Sequence, residues 1–74
     1  MRKIEELFGE AVRRRRRKLG LSQEGFAAKA EIHRTYVSSI ELGKVTISIS
    51  IAQKLAAALG VPLSKLLQET ERRS

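Results

Sequence analysis

The chain has no cysteine, no aspartate and no tryptophan, and only one proline and one histidine in 74 residues. Without cysteine there is no disulfide framework and no thiolate metal site, which fits a reducing compartment. Acid–base chemistry has little to work with. The eight acidic residues are all glutamates, and pairs such as Glu5/Glu6 and Glu69/Glu71 read as solvated carboxylates rather than a catalytic couple. His33 has no second metal ligand near it in sequence. No glycine-rich phosphate loop is present; LGKV is not one. No apolar run approaches the roughly 20 residues of a membrane span. The first 19 residues, MRKIEELFGEAVRRRRRKL, lack the apolar centre of a secretory signal. No enzymatic activity, cofactor, metal or small-molecule ligand is expected.

What is abundant is positive charge. Fifteen Lys and Arg against eight acidic residues give a net +7, and eight of the fifteen lie within the first 18 positions. Such a field on a small domain favours an anionic partner, nucleic acid first and an anionic membrane surface second. The bland alternative is solubility charge on a solvated helix face. Hydrophobic residues make up 42% of the chain, too many for a disordered one. At this length one domain is expected, burying about 60% of its unfolded surface.

Apolar spacing predicts five short helices. The first covers about 4–19, with Ile4, Leu7, Phe8, Ala11, Val12 and Leu19 in register. An Arg interrupts that stripe at the level of positions 15 and 16. Gly9 sits inside it, and Gly20 is a natural stop. Ser22 is suited to cap a second helix ending near Ala30, with Gly25 inside it. After a break at Glu31 to His33, a third helix runs from Arg34 to about Leu42. Residues 44–48 read as a loop; the alternating Val45, Ile47, Ile49 and Ile51 resemble a strand with nothing to pair with. Ser48 caps a fourth helix to about Leu59. A fifth starts at Pro62 and ends near Glu69, leaving residues 70–74 as a polar, frayed tail.

Two short helices separated by a three-residue break form a helix-turn-helix arrangement. In it, one helix crosses the DNA backbone and the next offers its N-terminal residues to base edges in the major groove. The stretches GLSQEGFAAKAEIHRTYVSSIELGK and KLAAALGVPLSKLL resemble the phage repressor and Cro-type (Xre) helix-turn-helix family over about residues 9–68. Within that family, HRTYVSSIE followed by ISI most resembles the small regulators that include restriction–modification controller proteins.

The resemblance implies an all-α, five-helix, lambda-repressor-like DNA-binding domain. It implies a homodimeric, cytoplasmic, nucleoid-associated transcriptional regulator that binds double-stranded DNA at an inverted-repeat operator. It places Arg34 and Thr35 where base edges are read, with Ser38 and Ser39 one turn on. Ser22, Gln23, Tyr36 and Lys44 fall at phosphate-contacting positions. Arg16 and Glu41 match an internal ion pair, which accounts for an Arg on the apolar stripe. Ile47, Ile49, Val61, Pro62, Leu63, Leu66 and Leu67 are candidates for the dimer interface, with core packing as the alternative for each.

The sequence departs from the family pattern in four places. Glu31 occupies a turn position where Gly is usual, and Gly25 stands where Glu is common. Leu42 replaces a frequent Arg, and KVT replaces a more polar loop. Arg14 and Arg17 have no assigned role. Two rival functions share these features. An antitoxin would use the same DNA-binding surface and give its apolar patch to a toxin. A membrane-surface or protein-interaction module would be led by the basic first helix.

Overall fold

Five helices form in the order α1 (Ile4–Lys18), α2 (Gln23–Ala30), α3 (Arg34–Glu41), α4 (Ile49–Ala58) and α5 (Leu63–Arg72). The computed structural model describes residues 2–72, and no strand occurs among them. Residues 44–48 are a loop, and no helix among the described residues is long and apolar enough to cross a membrane.

Local chemistry sets the helix starts. The Ser22 hydroxyl accepts the Gly25 N–H at 2.9 Å, and the Ser48 hydroxyl accepts that of Ile51 at 3.1 Å. Each satisfies a backbone donor that has no partner inside its own helix. At α3 the cap is His33, whose Nδ1 accepts the Thr35 N–H at 3.1 Å.

α1 packs against α3 and α5, α2 against α3 and α4, and α4 against α5. Phe26, Leu55, Leu66, Val12 and Val37 are the largest apolar side chains fully withdrawn from water. Each such side chain stabilises the fold by about 1.5–3 kcal/mol. Ile4 and Leu19 fit the helical spacing of α1 yet are 61% and 52% exposed, so the buried stripe is confined to Leu7, Phe8, Ala11 and Val12. On α4, Ala52 is buried and Ile51 only half so.

Gly9 is where α1 crosses the end of α3. A Cβ there would sit 2.3 Å from the Ile40 carbonyl oxygen and 2.7 Å from that of Glu41. The glycine that interrupts the sequence pattern is what lets the two backbones meet.

The turn between α2 and α3 requires a left-handed residue. Glu31 supplies it with φ 59° and ψ 42°, and its N–H bonds the Ala28 carbonyl at 3.2 Å. A side chain in that conformation costs about 1–2 kcal/mol.

The fifth helix is longer than its polar sequence suggests. It continues to Arg72, so Thr70 to Arg72 are helical rather than frayed; Arg73 and Ser74 lie outside the described residues. Thr70 is buried, and its hydroxyl donates to the Leu66 carbonyl at 2.9 Å. Arg15 Nε donates to both Glu69 oxygens, at 2.9 and 3.1 Å, which ties this end to α1.

Candidate nucleic-acid interface

The site begins with a charge inside the fold. Arg16 is 8% exposed and Glu41 5%. Arg16 Nε donates to Glu41 Oε2 at 2.6 Å and Nη2 to Oε1 at 3.0 Å, a bidentate pair between α1 and α3. Nη1 donates to the Leu21 carbonyl at 2.9 Å. Gln23 Nε2 adds a third bond to the carboxylate at 3.2 Å. Each nitrogen of the guanidinium and both oxygens of the carboxylate are thereby engaged, as buried charges require. Hydrogen bonding to Glu41 raises the Arg16 pKa above its ordinary value against the opposing effect of burial. The guanidinium therefore stays charged wherever the protein is folded. Three elements, α1, the start of α2 and the end of α3, are fixed to one another by this network.

Fixing them sets what α3 presents outward. Arg34 and Thr35 lie exposed in its first turn. Ser38 and Ser39 follow one turn later, both half-buried. Arg34 Nε lies 3.8 Å from Glu24 Oε1, with both side chains mostly solvated. Tyr36 is half-buried and packs against the core. Gln23 is half-buried beside α3, whereas Ser22 and Lys44 are exposed at the start of α2 and after α3. The residues named from the sequence for base and phosphate contact thus gather around α3 and the entrance of α2. Arg offers a bidentate donor pair to guanine, and Thr a methyl contact to thymine.

A model of the family described as helix-turn-helix matches residues 12–66. The chain belongs to the helix-turn-helix family, of Cro/C1 type. It is similar to Control protein C.MunI of Mycoplasma sp., 42% identical over 97% of this chain and 99% of that protein. Control protein C.BamHI of Bacillus amyloliquefaciens is 43% identical over 90% of this chain and 84% of that protein. Among solved structures, the restriction-modification controller protein C.AhdI from Aeromonas hydrophila superposes with a TM-score of 0.82 at 35% identity, covering 84% of this chain and 94% of that one. This helix-turn-helix protein is a DNA-binding transcriptional regulator.

The seven residues named for a dimer face do not form one surface. Leu66 is 0% exposed and belongs to the core, where no partner reaches it; this corrects its assignment to an interface. Val61 and Leu63 are half-buried against the core, and Pro62 is exposed at the entry to α5. Ile47, Ile49 and Leu67 line an apolar groove of about 240 Å³ together with Ile4, Phe8 and Val45. Ile49 is 79% exposed. Ile4 fits the apolar spacing of α1, yet it supplies one wall of this groove.

Sequence reasoning missed three residues at the helix-turn-helix face. His33 is a cap, a role its position before Arg34 signals only if an imidazole is allowed as acceptor. Glu24 stands beside Arg34, one helical element away. Arg13 stands in a run of five arginines that composition alone does not tell apart, although i, i+4 spacing puts it on one face with Arg17. Among the described residues no group of three His, Cys, Asp or Glu is placed to hold a metal ion.

Proposed function

We propose that this helix-turn-helix protein acts as a homodimeric, non-enzymatic regulator in the cytoplasm. It reads an inverted-repeat operator with one α3 per half-site, and controls a restriction–modification system as C.AhdI is named for doing. The observation that carries the reading is the first turn of α3. Arg34 and Thr35 are exposed side by side there, on a helix held in place by the buried Arg16–Glu41 pair.

In this reading Arg34 and Thr35 contact base edges, with Ser38 and Ser39 deeper along the same helix. Ser22, Gln23, Tyr36 and Lys44 bond phosphates and set the register. A second copy occupies the apolar groove at Ile47, Ile49 and Leu67. Two considerations support that occupant. A two-fold places recognition helices about 34 Å apart, one turn of DNA. A single module of this size also buries too little surface for tight specific binding.

Selection of random duplexes on the pure protein, at about 150 mM salt with competitor DNA, tests the reading, because non-specific binding weakens steeply with salt. The expected product is an inverted repeat whose half-sites are one helical turn apart. Recovery of no sequence above background would overturn it.

A further inference from the structure

The five consecutive arginines do not share one environment. Arg16 is buried against Glu41, and Arg15 is paired with Glu69. Arg13 and Arg17, one turn apart on α1, are exposed and hold no ion pair among the described residues. They line a cleft of about 310 Å³ with Gln23, Ser38 and Leu42, floored by Arg16 and Glu41. Ser38 belongs to α3 and Gln23 to α2, so this cleft is continuous with the face that carries Arg34.

We infer that the cleft formed by Arg13, Arg17, Gln23 and Ser38 binds backbone phosphates of the duplex, extending the DNA interface from α2 and α3 onto α1. The inference rests on the operator-binding reading proposed above.

The charge balance of the cleft supports it. Glu41 is the one carboxylate in its lining, and its oxygens already accept from Arg16 Nε, Arg16 Nη2 and Gln23 Nε2. Its charge is cancelled by Arg16. What remains is the charge of Arg13 and Arg17, uncompensated, over the amide of Gln23 and the hydroxyl of Ser38. Gln23 keeps its second Nε2–H for an acceptor other than Glu41. Glu10, on the outer side of the same arginines, is drawn to Arg2. A cleft with two free guanidiniums and two neutral donors is suited to an oxyanion. Leu42 adds no charge there, so the positive potential on this side of α3 comes from α1.

The test compares the double variant Arg13→Gln/Arg17→Gln with Lys54→Gln/Lys65→Gln. The second removes the same charge from exposed positions on α4 and α5. Binding of the selected duplex and of a random duplex is measured between about 50 and 200 mM salt. Each phosphate contact contributes about 0.9 to the slope of log affinity against log salt, so losing two lowers it by about 1.8. Over that salt range the arginine variant then loses about tenfold less affinity than the wild type. Both duplexes weaken alike and the preferred bases stay the same. Arg13→Lys/Arg17→Lys keeps the wild-type slope, and melting curves check that each variant is folded.

An unchanged slope in the arginine variant, or an equal drop in the lysine control, would overturn the inference and leave only a general field. A changed base preference without a changed slope would overturn it too. If the wild type itself prefers no duplex, the function on which the inference rests has failed, and that is seen before any variant is made.

Discussion

Arg16 and Glu41 stand 25 residues apart in sequence and meet through two hydrogen bonds, with less than a tenth of either residue exposed. Removing one partner strands the other charge in the interior, at a cost of about 3–5 kcal/mol. Glu41→Ala is therefore expected to shift the urea midpoint strongly downward. Arg16→Met/Glu41→Leu should cost much less, because no charge is left unpaired. Equal destabilisation by the single and double changes would show that packing, not charge, sets the value of this site.

Arg34 tests base readout. Arg34→Ala should cost about 1–3 kcal/mol on the selected duplex and relax preference at one base pair per half-site. The measurement is a binding series over all four bases at that position. Equal weakening on selected and random duplexes would mean that Arg34 contacts phosphate.

Glu31 tests the turn. Its left-handed backbone is unfavourable by about 1–2 kcal/mol. Glycine relieves that while adding about 0.4–1 kcal/mol of unfolded-state entropy. The net gain is less than about 2 kcal/mol, and Glu31→Gly should raise the melting temperature by several degrees. A lower melting temperature would mean that the Glu31 side chain stabilises the turn by more than its strain costs.

Gly9 tests the crossing of α1 over α3. Any side chain there collides with two backbone carbonyls, which cannot swing away as a side-chain tip can. Gly9→Ala should destabilise by at least the 1–3 kcal/mol typical of overpacking, although alanine is the better helix former by about 1 kcal/mol. Calorimetric unfolding reads the sign directly.

Ile49 tests the dimer face. Ile49→Glu removes an exposed apolar side chain, so the monomer should melt at nearly the wild-type temperature at low concentration. Sedimentation should then show monomers where the wild type shows dimers, with affinity for the full inverted repeat falling toward that for one half-site. An Ile49→Glu protein that remains dimeric would move the interface elsewhere.

The parts of this molecule legible in its sequence are those governed by local rules. Ser22 and Ser48 announce helix starts through capping, and the break at residues 31–33 announces the turn. Arg34 and Thr35 follow from their place after that break. What was hidden depends on neighbours distant in the chain. Thr70 looks like part of a polar tail, and only its burial beside Leu66 extends α5. Ile4 matches a core period but lies beyond the reach of the core, at the edge of the groove. Leu66 and Leu67 are adjacent and equally apolar, yet one is core and the other lines that groove. Gly9 reads as a helix weakener until the carbonyls of Ile40 and Glu41 are placed opposite it.

The arginine run has a consequence for how this gene can change. Five identical residues in a row look like a tract whose length is free to drift. Each added or lost arginine turns everything beyond it by about 100° around the helix. Removing one would leave the composition of the tract nearly the same. It would still leave arginine at positions 15 and 16 to face Glu69 and Glu41, but it would turn Leu19, Gly20 and the entrance of α2 by that angle against the apolar face of Leu7, Phe8, Ala11 and Val12. Substitutions in this tract affect one role at a time, whereas a single-codon insertion or deletion keeps most of those roles and shifts every element after α1 against the face that precedes the tract.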